Sequence, residues 1–451
     1  MFPSFVIALV GFGCYLAMAP VVVNGDGLGY LKAAMTGSLY PGHVAYVPLL
    51  HLVAKLTHAT RPIALLWPAR VLSAASAATA ALALAATARR RFGDGLSSTA
   101  AAAGFLASWG ALAAGSDVES YAPALAAVTL ALYFAVAERP VAAGLSVAAA
   151  ALFHVENVLF GLPLLLALPA RARGRFVAAA ALPVAAVYEQ LVARHGMHWL
   201  FGASHGLAYR LHWYTPAVAL YGACKALVYA PYPYEAAWSR VVAAFAVGLA
   251  ALVALATGMR RPLPRAVVIA WVAPYALVAL RFFGSDAERW VFLLPLAWLA
   301  AAAQPRRALT VAALVAVANV ALWLPAARDA TFRDRAVAAA AQLEPGDLVI
   351  GPGHGWDEYL GFYDRSGVTP LPLIYCAGAY GVAALPDLFA GAVATTRAAG
   401  HRVYLARLVD DGDPNGWKEL APLGITPATA RQLLPRGHAV TIGAGLERWD
   451  P

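Results

Sequence analysis

The sequence predicts an α-helical polytopic membrane protein of about eleven transmembrane helices, followed by a small C-terminal extracytoplasmic α/β domain. Three observations carry this reading. Of the 451 residues, 61% are hydrophobic, against roughly 45–50% in an ordinary soluble domain. Only 13% are charged, and mean hydropathy is +0.65. The charges are also unevenly divided: residues 1–325 hold 22 Lys and Arg against 10 Asp and Glu, while residues 326–451 hold 11 against 14. A soluble globule of this composition lacks the polar atoms to cover its surface, and a disordered chain would not be this apolar.

The first apolar run, Ser4 to Val23, reads as a retained anchor. Ala17-Met18-Ala19 imitates a signal-peptide cleavage site, but a basic n-region is missing and the apolar run continues past it. Further spans are expected near 66–87, 98–114, 121–137, 141–153, 157–170, 176–192, 241–257, 266–282, 290–303 and 308–325. The pair 141–153 and 157–170 is short for a full crossing and suits a hairpin with a polar turn.

Loop charges set the orientation. The loops at 88–97, 138–140, 171–175, 258–265 and 304–307 hold 12 Arg in 30 residues. The alternate loops at 24–65, 115–120, 153–157, 193–240 and 281–289 hold 9 Lys and Arg in 110 residues. The first set is therefore expected in the cytoplasm, with the N-terminus, and residues 326–451 outside. The formal charge of +9 then orients a membrane protein and gives no reason to expect a nucleic-acid partner.

The tail, 326–451, is read as a separate domain from 1–325. It carries strand-like runs at Asp347–Gly351, Arg402–Arg407 and His438–Ile442, a helical pattern over Asp387–Ala399, and a loop at Gly351–Gly355. The three cysteines, Cys14, Cys224 and Cys376, have no metal-ligand spacing. A Cys224–Cys376 bridge is compatible with an oxidising side but carries little weight.

Acidic residues point to a site. Asp94 and Glu138 fall in the cytoplasmic set. Asp26, Asp117, Glu119, Glu156, Glu189, Glu235, Asp286 and Glu288 fall in outer loops or at outer span ends. Carboxylates near hydrocarbon are costly unless used or solvated. Asp26 lies in Asn24-Gly25-Asp26-Gly27, which also reads as a turn in which Asp26 caps a helix at 28–37. His43 follows in the same loop. Asp117 and Glu119 are two apart, so on a helix they face different ways. His154 and Glu156 share a turn with Asn157. The long loop 193–240 is rich in Trp, Tyr and His, and its Arg210 and Lys225 are placed to meet a lipid phosphate. Arg289 suits either a pairing with Glu288 or Asp286, or a phosphate. The sequence has no P-loop, dinucleotide fingerprint, HExxH or GxSxG in a fitting context.

These residues resemble a polytopic glycosyltransferase of the C type, and within that class the DUF2723 family, relatives of the eukaryotic membrane O-mannosyltransferases. Asp26 matches the family's acid after the first span, and Pro41-Gly42 with Tyr46 match part of its His-Pro-Pro-Gly-Tyr-Pro-like stretch. Gly29-Tyr30 stands where the family has a Glu, Leu39 at its His and His43 at its Tyr. Glu119-Ser120-Tyr121 and Leu152-Phe153-His154 echo its Glu-Val-Tyr and Gly-Asn-His patterns. The resemblance implies a hexose taken from a polyprenyl-phosphate donor and passed, with inversion, to a hydroxyl of a protein, lipid or glycan acceptor. Asp26 would be the general base. His43, Asp117, Glu119, His154 and Glu156 would orient the acceptor or tune the base. Arg289, Arg210 or Lys225 would hold the donor phosphate. A divalent metal near Asp26 and Asp117 is compatible with this but not required. The implied location is a bacterial inner membrane. A transporter or lipid flippase, or an inactive accessory subunit, are the competing readings. Transporters place ionisable residues nearer mid-span.

Overall fold

A computed structural model describes every residue except 1, 41, 197–212, 231–237, 259–262, 283, 354, 365–366, 407–419 and 451, and the side chains at 2, 258, 369 and 422. The chain divides into two compact units. One contains Met1–Arg194 and His212–Arg328, the other His195–Leu211 and Asp329–Pro451.

The described residues of the first unit form helices joined by turns and loops. Its helices are α1 (Phe2–Ala17), α2 (Gly25–Thr36), α3 (Tyr46–Leu56), α4 (Pro62–Phe92), α5 (Gly95–Ala107), α6 (Trp109–Ser116), α7 (Tyr121–Val136), α8 (Pro140–Phe153), α9 (Gly161–Ala167) and α10 (Ala170–His195). They are followed by α11 (Pro216–Leu227), α12 (Trp238–Gly258), α13 (Arg265–Arg281), α14 (Leu294–Ala301) and α15 (Pro305–Ala327). Each segment expected as a span contains helix. Among the described residues, four helices, α4, α10, α12 and α15, are long and apolar enough to cross a membrane alone. The others are shorter or bent.

Helix α4 is the central post. Its 31 residues extend about 46 Å. Pro62 opens it, Arg89, Arg90 and Arg91 occupy its last turn, and Gly93 closes it at φ +79°, each matched to the helix end it occupies. One face, Ala69, Ser73, Ala77, Ala80, Leu84 and Ala88, is fully buried. These mostly small side chains let α1, α5 and α7 pack closely on it. Helices α5 and α6 form one bent pair, turning by 66° at Ser108. The Ser108 hydroxyl donates to the Gly104 carbonyl (2.9 Å) and accepts from Trp298 Nε1 (2.8 Å), so the break satisfies its own polar groups. Asn319 of α15 braces the same level, donating to the Ala107 and Leu227 carbonyls (2.7 and 3.0 Å) and accepting from the Tyr229 amide (2.7 Å). The expected hairpin at 141–170 is α8, a 3₁₀ turn over Val155–Phe160, and the short α9.

The second unit holds a five-stranded sheet of order β2-β1-β3-β5-β4, with β1 (Leu348–Gly351), β2 (Thr369–Pro372), β3 (Val403–Ala406), β4 (His438–Gly443) and β5 (Leu446–Asp450). Its helices are α16 (Thr331–Ala340), α17 (Leu373–Tyr380), α18 (Leu385–Ala398) and α19 (Pro427–Gln432). Strand β1 pairs in parallel with β2 and β3, and β5 runs antiparallel to β3 and β4. Ile350, Leu405, Phe389 and Val393 are buried in its core. Three of these strands match the sequence reading; β2 and β5 were not expected. All three cysteines are free thiols in this structure, which gives the Cys224–Cys376 bridge no support.

Candidate active site

The site begins at Asn24, which bonds to three residues in two elements. Its Oδ1 accepts from the Gly27 amide (2.5 Å), capping α2. Its own amide donates to Asp117 Oδ2 (2.9 Å), and its Nδ2 donates to Glu119 Oε1. The start of α2 is thus tied to the turn between α6 and α7. The approach is close enough that a Cβ on Gly27 would lie 2.8 Å from the Val118 carbonyl oxygen. Asn24 takes the capping role that the sequence offered to Asp26, and the helix starts at Gly25, not at 28. Asp26 lies exposed on the first turn of α2, where the helix dipole favours a negative charge.

Asp117 is buried, at 5% exposure. Its Oδ1 accepts from Arg70 Nε and Nη2 of α4 (3.3 and 3.2 Å). Burial pushes its carboxyl above the ordinary range, against the pull of Arg70 and the Asn24 amide. Glu119, at 4% exposure, differs. Its Oε2 has no hydrogen-bond partner among the described residues. Burial raises its carboxyl well above the ordinary range, and the charges of Glu288, Asp26 and Asp117 add to that. Asp117 is a paired structural acid, whereas Glu119 has an open oxygen.

Glu288 completes the acidic wall. It lies in a short 3₁₀ turn, Ala287–Arg289, capped by Asp286, whose Oδ1 accepts from the Glu288 amide (3.2 Å). Burial pushes the Glu288 carboxyl up to about 8, with Asp286 and Asp26 adding and Arg289 opposing. Its side chain keeps 33% exposure, so water moderates that shift. Glu119 and Glu288 line one cavity of about 410 Å³ with Asn24, Asp117 and Asp286. Lys225 of α11, 7% exposed, lines the same cavity, with Trp109, Tyr229 and Trp323. Asp26 does not line this cavity, but its charge bears on Glu119, Glu288 and His43.

A second cluster adjoins the first. His43 shares its Nδ1–H between the Phe153 carbonyl and the Ser120 hydroxyl (3.1 Å each). Its ring meets His154 edge-on at 4.8 Å, and His154 packs on Tyr121 at 4.5 Å. Burial lowers both imidazoles, which keeps them neutral at pH 7. Arg289 Nη1 donates to Glu156 Oε1 (2.5 Å), and Nη2 stands 3.8 Å from Glu288 Oε2. The guanidinium lies over the Phe282 ring at 4.8 Å. Arg289 Nε and His154 Nδ1 have no hydrogen-bond partner among the described residues.

The structure therefore brings together His43, Glu119, His154, Glu156 and Arg289, with Asp26 nearby and Asp117 and Lys225 on the cavity wall. Arg210 and Glu235, like Pro41 of the family-like stretch, lie outside the described residues. Sequence reasoning missed Arg70 and the bridging role of Asn24. A lone Arg inside an otherwise apolar span was the available signal for Arg70. Among the described residues, no group of three or more His, Cys, Asp or Glu is arranged to hold a metal ion.

Beside Arg289, Trp290 opens an apolar groove of about 390 Å³. Its walls come from α11, α12, α13 and α14, including Leu227, Leu252, Val272 and Leu296, and every lining side chain is apolar.

No family model and no curated protein matches the sequence. Solved structures do match. The apo form of ArnT from Cupriavidus metallidurans aligns with a TM-score of 0.61 at 15% identity, covering 99% of this chain and 96% of that one. The same protein bound to undecaprenyl phosphate aligns at 0.58 and 15% identity, covering 99% and 97%. At this identity the likeness establishes architecture: the chain has an ArnT-like fold over nearly its whole length.

Proposed function

We propose that this protein is a membrane glycosyltransferase that moves a hexose from a polyprenyl-phosphate carrier to an acceptor hydroxyl outside the cytoplasm. The observation that carries the reading is a junction of unlike surfaces. The acid-lined cavity and the Arg289 cluster lie next to a wholly apolar groove, with Arg289 and Trp290 consecutive in the chain. An isoprenoid tail suits the groove, and its phosphate suits the guanidinium. The ArnT structure with undecaprenyl phosphate supports a donor of this class.

In this mechanism Asp26 takes the acceptor proton as the oxygen attacks the anomeric carbon. The bond from that carbon to the phosphate oxygen breaks, the configuration inverts, and polyprenyl phosphate departs with the electron pair. Arg289 and Lys225, with Arg210 as a third candidate, stabilise the charge that develops on the phosphate. Glu119, with its open oxygen, and the neutral His43 and His154 orient the acceptor. Asp117 and Glu156 act indirectly, through Asn24 and Arg289. The chemistry is placed on the outer face of a bacterial inner membrane, N-terminus in the cytoplasm, as the loop arginines indicate.

The test is transfer itself. The full chain is incubated with radiolabelled polyprenyl-phosphate hexoses and protein, lipid and glycan acceptors, beside Asp26→Asn. Label moving to an acceptor with wild type and not with the variant supports the proposal. Transfer by neither, or equal transfer by both, refutes it.

A further inference from the structure

A separate cavity of about 370 Å³ opens where α2 meets α3. His51 and Lys55 of α3 line it, with His58 and Thr60 beyond that helix and Met35 of α2. Three of these side chains are basic, and no carboxylate lines it. The His51 ring is fixed. Its Nδ1–H donates to the Ala34 carbonyl (2.8 Å), so a proton taken up by the ring goes to Nε2.

His58 is the more informative residue. Helix α3 ends in a Schellman motif: the Ala59 amide donates to the Ala54 carbonyl (2.9 Å) and the His58 amide to the Lys55 carbonyl (3.3 Å). This holds His58 in the left-handed region at φ +54°. Glycine suits that position best, and α2 and α4 end on it, at Gly37 and Gly93. In α3 the same position carries an imidazole on the cavity wall, in a conformation that an L-residue adopts at a cost.

The outer face of α3 is apolar. Leu52 is 51% exposed and Leu56, one turn on, 71%. At 11 residues the helix is about 16 Å long, too short to cross a bilayer. A short helix with an apolar stripe and basic side chains at its edge suits the boundary between headgroups and acyl chains.

We propose that His51, Lys55 and His58 form a binding site for the phosphate of an anionic membrane phospholipid, whose acyl chains lie along Leu52 and Leu56. The site does not depend on the transfer reaction proposed above. Its test uses the delipidated full chain in detergent, incubated with dioleoyl phosphatidylglycerol, dioleoyl phosphatidylcholine or inorganic phosphate, with bound lipid counted by native mass spectrometry. Phosphatidylglycerol should be retained in preference to phosphatidylcholine, and about tenfold more weakly by His58→Gly and by Lys55→Gln, as loss of a charge-assisted hydrogen bond implies. His58→Gly should melt no lower than wild type, because glycine relieves the left-handed backbone, which separates lost binding from lost folding. Equal retention of the two lipids, or wild-type retention by both variants, overturns the proposal. Displacement of phosphatidylglycerol by equimolar inorganic phosphate also overturns it, by assigning the cavity to a soluble anion.

Discussion

The two carboxylates of the turn between α6 and α7 lie two residues apart and are equally buried, yet their surroundings differ. Asp117 is satisfied on both oxygens, by Arg70 and by the Asn24 amide. Glu119 is satisfied on one, and its second oxygen is buried without a partner among the described residues. Burying a carboxylate is costly unless its charge and lone pairs are met. The difference separates an acid that holds the fold from one that is open to a ligand. Equal burial and neighbouring sequence positions do not imply equal roles.

The largest effect should come from breaking the paired side of this comparison. Arg70→Ala leaves Asp117 buried without its guanidinium, and a lost partner in a buried ion pair costs about 3–5 kcal/mol. A fall in thermal stability of the detergent-solubilised protein, read by tryptophan fluorescence, checks this. Glu119→Gln keeps the Asn24 contact in reach and should cost far less, so similar losses for the two would erase the distinction.

Asp26→Asn should do the reverse. Transfer should fall by about 10²–10⁴-fold, the usual contribution of a general base. Stability should change by less than about 1 kcal/mol, because the side chain is exposed and its charge, favoured by the α2 dipole, is opposed by those of Glu119 and Glu288. Parallel assays of transfer and melting decide it.

Glu288 gives a pH signature. Its carboxyl stands near 8 in the folded chain against an ordinary value of 4.5, so between those values the native state holds the proton more tightly. Stability from this group is then fully present below pH 4.5 and is lost as pH rises through 8. Melting temperature should decline between pH 5 and pH 8.5 in wild type, and the decline should be shallower in Glu288→Gln. Parallel profiles would remove Glu288 from the acidic wall. The smallest effect is expected at the exposed Arg333–Asp334 pair (2.9 Å, 40% and 64% exposed). There Arg333→Ala should cost under about 1 kcal/mol, a control for the buried Arg70 pair.

Much of this was legible in the sequence because hydrophobic runs and turn acids are local features. The spans and the tail's β1, β3 and β4 followed from them, and so did the candidate acids Asp26 and Glu119, although of these two only Glu119 lines the cavity. The remainder depended on partners distant in sequence. Arg70 read as part of an apolar run, and only the fold reveals that it meets Asp117 from 47 residues away. Asn24 read as a turn residue, while its side chain spans 95 residues to Glu119. Strand β2 carries Pro370 and Pro372, which sequence rules assign away from strands, and it survives as the sheet's edge. Strand β5, Leu446-Glu447-Arg448-Trp449-Asp450, looks too charged for a strand, yet it pairs on both sides.

The central claim, that an isoprenoid-linked sugar is held by the Arg289 side and released by chemistry at Asp26, is tested most directly by measuring binding and turnover on the same samples. Undecaprenyl phosphate binding, by native mass spectrometry, and hexose transfer are compared for wild type, Asp26→Asn and Arg289→Gln. Wild-type binding without transfer in Asp26→Asn, together with binding about tenfold weaker in Arg289→Gln, is the expected result. Unimpaired transfer by Asp26→Asn, or no binding of undecaprenyl phosphate by wild type, would contradict it.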